Sequence, residues 1–382
     1  MNHASSRRIK PLQPARRPLL RSALLAAGAW LLGSWAQAQT VAPNVAVPFY
    51  TPGHFMQGVL RYGYAPQAAD FARQAAALPG ALAAWCAADA AADRGRLQQA
   101  RAQWQASTSA WDRLNGVQIG PLVQRRSARQ IDFTPTRPEL IVRAIQAAPA
   151  DSTAMESIGT PAKGLPALEW LLWTQPISPG TPACRYAVQV AVEIAREGAA
   201  LSTSFSELAA RDLSEEEETS VPAMSELVNQ WVGGLERLRW AQMEKPRLSG
   251  QHAGLSGQHA GQGGRKAAAY PRSASAQTAA SWAAQWQALR ALAIAQAREA
   301  PQPGAGLVPL ETYLRGRGLN ALANQLRQSV NQAAQSLQNL TPANQAGLSA
   351  ATRALAALKK LAETEIAPAL EVHIGFSDAD GD

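Results

Sequence analysis

Apolar residues recur at three- and four-residue intervals along nearly the whole chain, and runs that alternate apolar with polar residues are scarce. The first spacing lines one face of a helix and the second one face of a strand, so the pattern predicts an all-α protein. Leu78, Leu82 and Trp85, then Leu97, Trp104 and Trp111, mark two antiparallel helices with a break near Asp93-Arg94-Gly95. Val188, Val192, Ile194 and Leu201 mark a helix from Ala183 to Ala210, and Leu227, Trp231, Leu235, Leu238 and Met243 the next one. Trp282, Trp286, Leu289 and Leu292 resume the period, and further helices follow to Ala367. Trp104 and Trp111, seven residues apart, share a face that reads as a core stripe or as the aromatic wall of a cleft.

The formal net charge of +8 is misleading about the folded part. Six of the 36 basic residues (Arg7, Arg8, Lys10, Arg16, Arg17 and Arg21) precede residue 39 with no acidic residue among them, leaving 30 against 28. The excess therefore belongs to a leader and not to a nucleic-acid-binding face. Residues 1–38 have the order of a secretory signal peptide: a basic start, an apolar core from Ser22 to Gly33, and a small-residue exit at Ala36-Gln37-Ala38. Arg16-Arg17-Pro18-Leu19-Leu20-Arg21 further looks like a twin-arginine signal. The apolar core is too short to span a bilayer, and the mature chain shows no transmembrane segment. With no cysteine near the cleavage site, lipid attachment there is not expected, and the mature protein is expected in the periplasm.

In that oxidising compartment the only cysteines, Cys86 and Cys184, are expected to pair, the alternative being two buried thiols. They give no zinc-type spacing with histidine. The heptapeptide Leu-Ser-Gly-Gln-His-Ala-Gly stands twice in succession from Leu248 to Gly261. His252 and His259 could form a metal-binding tract, but the glycine density and lack of apolar residues favour an expanded loop. Outside the leader and this loop only His54 and His373 remain.

The stretch Lys163-Gly164-Leu165-Pro166-Ala167-Leu168-Glu169-Trp170-Leu171-Leu172-Trp173 reads as the start of a buried helix, with proline in the first turn where its missing N–H is no loss. Glu169 falls inside it among apolar residues. It is either a carboxylate on the polar edge of a core helix or a site residue that needs a cation, a metal or a donor. Arg137, held between Pro135 and Pro138, is the candidate partner because its fork can bind a carboxylate bidentately, or else it is simply solvated. Glu156 lies on a short helix capped by Asp151 or Ser152.

The segment from Gly164 to Trp173 resembles the signature of the imelysin-like family, exported bacterial proteins associated with iron uptake, whose motif is written G-x-H-x-x-E. Gly164 and Glu169 match its glycine and glutamate, while Pro166 stands at its histidine. The paired tryptophans and the ending from Phe376 to Asp382 add to the likeness. The resemblance implies two four-helix-bundle-like domains with a site at their interface, formed partly by the motif helix. The expected organisation is an extended arm at 39–53, bundles at 54–215 and 216–375 with a flexible Gly/His loop at 248–266, and an acidic tail at 376–382. Glu169, Gly164, Pro166, Arg137, Trp104 and Glu156 are the candidate ligand-binding residues, with Glu169 as a candidate metal ligand. The implied ligand is iron or haem, with an envelope iron-uptake partner. The alternative is a metal-dependent peptidase, yet there is no H-E-x-x-H helix and no nucleophile with a recognisable base.

Overall fold

In the computed structural model, which describes residues 46–87, 94–214, 216–249, 270–297 and 299–375, these residues form helices, turns and connections and no strand. The all-α expectation holds. By their contacts, residues from Val47 onward form one unit.

Helix α1 (Pro52–Gly58) opens with Thr51 and His54 in a reciprocal cap, in which His54 Nδ1 serves the helix start. It runs through a π-helical turn (Val59–Tyr64) into α2 (Ala65–Cys86). Next come α3 (Arg94–Leu114), two short helices α4 (Pro121–Gln124) and α5 (Ser127–Ile131), α6 (Pro138–Ala147), α7 (Ser152–Glu156) and the motif helix α8 (Gly164–Glu169). The long α9 (Pro182–Ala210) and α10 (Glu217–Glu236) follow, then α11 (Thr278–Ala293), α12 (Leu310–Gly316), α13 (Asn320–Leu337) and α14 (Gln345–Leu361).

Helix α2 packs most extensively along α9 and α3, and α3 in turn packs on α11. On the C-terminal side α13 lies along α14, and α14 packs on α10 and the π-helical turn Arg237–Glu244 that extends it. Trp104 and Trp111 of α3 are fully buried. At about 150–250 Å² of surface each and ~25 cal/mol/Å², each contributes about 4–6 kcal/mol of burial. That anchors α3, the helix that touches both α2 and α11.

Cys86 at the end of α2 and Cys184 in the first turn of α9 form the expected disulfide, with their Cα atoms 5.6 Å apart. The connection between the motif helix and α9 is fastened to the same place: the Trp85 indole donates to the Ile177 carbonyl at 3.2 Å, and the Gly180 N–H to the Cys86 carbonyl at 3.0 Å. Of the arm's expected docking points, Val45, Val47 and Phe49, Val47 packs against the core and Phe49 is exposed, while Val45 lies outside the described residues. Tyr50 docks beside Val47, fully buried and donating to the Pro301 carbonyl at 2.6 Å. The signal segment, the duplicated histidines and the acidic tail lie outside the described residues.

Candidate functional site

The site grows from the entry of α8. Gly164 has φ +80°, and a Cβ there would collide with the Ile131 carbonyl oxygen, so only glycine lets the motif helix start against α5. All six residues of α8 are buried, Pro166 among them. The Trp104 indole N–H donates to the Leu165 carbonyl at 3.0 Å and ties α3 to the motif's first turn. Past Glu169 the chain enters a π-helical turn (Trp170–Thr174), a rare form that occurs frequently at functional sites. Arg101 donates to the Leu172 carbonyl there at 3.0 and 2.6 Å and lies over the Trp173 ring.

Glu169 is only 7% exposed. Its Oε1 accepts from the Ser275 backbone N–H at 2.9 Å and from the Ser275 hydroxyl at 2.7 Å. The cationic group of its surroundings is Arg272, 3% exposed, whose field couples to Asp132, Asp112 and Glu169. Arg272 Nη2 donates to Asp132 Oδ2 at 2.8 Å and stands 3.5 Å from Asp112 Oδ1, with the guanidinium over the Trp104 ring. Asp132 Oδ2 also accepts from the Trp111 indole at 3.1 Å. Both tryptophans therefore belong to the core and to the wall of this cluster.

Burial pushes the Asp112 carboxyl up to about 6, the Asp132 charge adding to the rise while Arg272 and the Ser281 hydroxyl oppose it. Burial disfavours the charged guanidinium of Arg272, but the carboxylates of Asp132, Asp112 and Glu169 outweigh it and hold its pKa above the ordinary arginine value. Asp112 Oδ2, Asp132 Oδ1 and Arg272 Nε are buried without a hydrogen-bond partner. Arg272 and Ala276, at φ +62° and +59°, bracket the turn that inserts Arg272 and Ser275. Non-glycine residues there cost about 1–3 kcal/mol each, a strain the buried contacts must offset.

Gly164, Pro166, Glu169 and Trp104 thus come together. Arg137 does not join them: it precedes the first turn of α6 with its side chain exposed, and Glu169 takes its hydrogen bonds from Ser275. The flanking prolines fix the backbone of Arg137 without turning the side chain inward. Glu156 is exposed at the end of α7 and borders a different cavity. Asp112, Asp132, Arg272 and Ser275 were not anticipated. Asp112 alone carried a signal, as an acidic residue directly after Trp111 on an otherwise buried helix face.

A family model for imelysin (Peptidase_M75) matches residues 64–367. The chain belongs to the imelysin family. Its fold is shared with an imelysin-like protein from Psychrobacter arcticum 273-4, at TM-score 0.68 and 20% identity over 87% of this chain and 100% of that one. It is also shared with a protein assigned as an iron-regulated protein A precursor from Parabacteroides distasonis ATCC 8503, at TM-score 0.62 and 12% identity over 84% and 94%. No curated protein sequence matches the chain.

The donor set fits a directly ligated metal poorly. Pro166 supplies no imidazole, and the Arg272 guanidinium already stands as the cation among the carboxylates. Among the described residues no group of three His, Cys, Asp or Glu is arranged to hold an ion.

Proposed function

We propose that this chain is an exported binding protein serving iron or haem-iron uptake, working in the periplasm after removal of residues 1–38 and in concert with an envelope partner. The reading rests on family membership, on the iron-regulated precursor with which the chain shares its fold, and on the Cys86–Cys184 disulfide, which suits an oxidising compartment. Among the described residues no helix is long and apolar enough to cross a membrane. In this reading the helix groups α1–α9 and α10–α14 are the two bundles, with the Glu169–Arg272 cluster between them.

The observation that carries binding over hydrolysis is the guanidinium among the carboxylates. A metal-dependent peptidase needs an ion and a water on the Glu169 face, and that face carries Pro166 and Arg272. Iron would then be handled as haem, as a chelate or through the partner, and not as a bare ion on Glu169.

Metal analysis of protein purified from its own periplasm, with titrations by haem and ferric citrate, tests this. Saturable binding of an iron-bearing ligand is expected, and no binding of ferric ion, ferrous ion, chelate or haem would reject it. Glu169→Gln then locates the ligand. Weakened affinity at an unchanged melting temperature assigns it to the motif site, and unchanged affinity at a lowered melting temperature places it elsewhere.

A further inference from the structure

A cavity of about 430 Å³ lies beside the start of the motif helix, within the size range of small-molecule sites. Ile131, Gly164 and Ile194 give it an apolar part, and Lys163, Glu193 and Glu156 bring opposite charges to it. Most other charges around it are already paired. Arg125 binds Glu197 bidentately at 2.9 and 2.7 Å, with the Ser127 hydroxyl on the same carboxylate at 2.6 Å, and Arg196 holds Glu193 Oε2 at 2.7 Å.

What is left over is complementary. Lys163 Nζ donates once, to the Met155 carbonyl at 2.9 Å, which leaves two N–H donors. Burial lowers the Lys163 pKa, the field of Glu193 opposing that, with a smaller opposing contribution from Glu156. Glu193 Oε1 is buried and has no hydrogen-bond partner, and Glu156 is exposed at the end of α7. An ammonium and two carboxylates thus border one cavity without forming an ion pair across it. A buried acceptor left without a donor is destabilising, and a ligand donor would relieve that.

We propose that this cavity binds a small zwitterion of the amino-acid type, free or as a dipeptide. Its carboxylate sits on Lys163, its ammonium on Glu193 and Glu156, and an apolar side chain lies against Ile131 and Ile194. The cavity shares Gly164 with the motif site, but none of Glu169, Arg272, Asp112, Asp132 or Ser275 lines it, and the proposal does not depend on the iron reading. The Lys163 ammonium is held at the cavity by its hydrogen bond to the Met155 carbonyl.

Calorimetric titration of the full mature chain tests the assignment with four probes: L-leucine, L-alanyl-L-leucine, N-acetyl-L-alanyl-L-leucine and L-alanyl-L-leucinamide. At least one zwitterion is expected to saturate a single site, and blocking either charge should weaken binding about tenfold or more. Saturation by leucine assigns a free amino acid, and saturation by the dipeptide alone assigns a peptide. Lys163→Met should erase the difference between the dipeptide and its amide, and Glu193→Gln the difference between the dipeptide and its acetylated form. If a variant fails to fold, the four probes on the unaltered chain decide alone. The assignment falls if no zwitterion saturates by ~10 mM, if the blocked analogues bind as tightly, or if folded Lys163→Met keeps full discrimination.

Discussion

Arg272→Met keeps much of the apolar stem of the side chain and removes its charge, leaving the carboxylates of Asp112, Asp132 and Glu169 without their cation. Removing one member of a buried ion network costs about 3–5 kcal/mol, because the charges that remain are still desolvated. The cost must depend on pH. The Asp112 carboxyl stands at about 6 in the folded chain against an ordinary 3.8. The folded state therefore holds the Asp112 proton more tightly than the unfolded state does. That contribution to stability is complete below about pH 4 and is lost as pH rises through about 6, a change of roughly 3 kcal/mol at 1.36 kcal/mol per unit. Without Arg272 the Asp112 carboxyl rises further, so the variant should lose most at pH 7.5 and recover part of the loss at pH 5, where a protonated Asp112 can donate to its neighbour. Urea unfolding of both chains at the two pH values measures this. A difference below ~1 kcal/mol at pH 7.5, or one that does not shrink at pH 5, would refute the account of the cluster as a charge network.

Three further outcomes are expected. Unfolded, unreduced protein should give no thiol labelling and reduced protein two labels, and replacing Cys86 and Cys184 by alanine should cost up to about 4.7 kcal/mol, the chain-entropy value for a loop of this size (sequence separation 98). Gly164→Ala should lower stability by more than ~1 kcal/mol in denaturant unfolding, since both its φ and the Ile131 carbonyl forbid a Cβ. Glu311→Gln should cost about 3–5 kcal/mol by the same measurement, because this buried carboxylate accepts from Arg315 at 3.0 and 2.8 Å and from Arg327 at 2.7 and 2.5 Å.

Helix order and the burial of Trp104, Trp111 and Glu169 were legible because they are local properties: a period of 3.6 survives in sequence whatever the tertiary arrangement. The disulfide was legible from compartment and cysteine number. The partners of Glu169 were not, because they depend on long-range approach. Ser275 is 106 residues away in sequence and Arg272 is 140 from Asp132. They also sit on a turn held by left-handed Arg272 and Ala276, residue types that give no turn signal. Arg137 had the better local pattern, two flanking prolines, yet proline rigidity says nothing about which way a neighbouring side chain points. The π-helical turn after Glu169 left no mark on the apolar period either.

The position of the duplicated heptapeptide bears on how Arg272 is held. It ends shortly before Tyr270, and the turn beyond it is anchored by its own contacts: Tyr270 packs edge-on against Trp282 at 5.5 Å, Ser275 donates to Glu169, and Arg272 reaches Asp132. If those contacts fix the turn, and the preceding Gly/His loop is as flexible as its composition predicts, that segment acts on stability only through closure entropy. Shortening such a loop of about 20 residues by seven changes that entropy by only about 0.4 kcal/mol. Deleting residues 255–261 should accordingly leave urea stability, and its dependence on pH between 5 and 7.5, within ~0.5 kcal/mol of the full chain. A loss above ~1 kcal/mol would mean that the repeat itself holds Arg272 in place, and that the anchoring assigned to Tyr270 and Ser275 is insufficient.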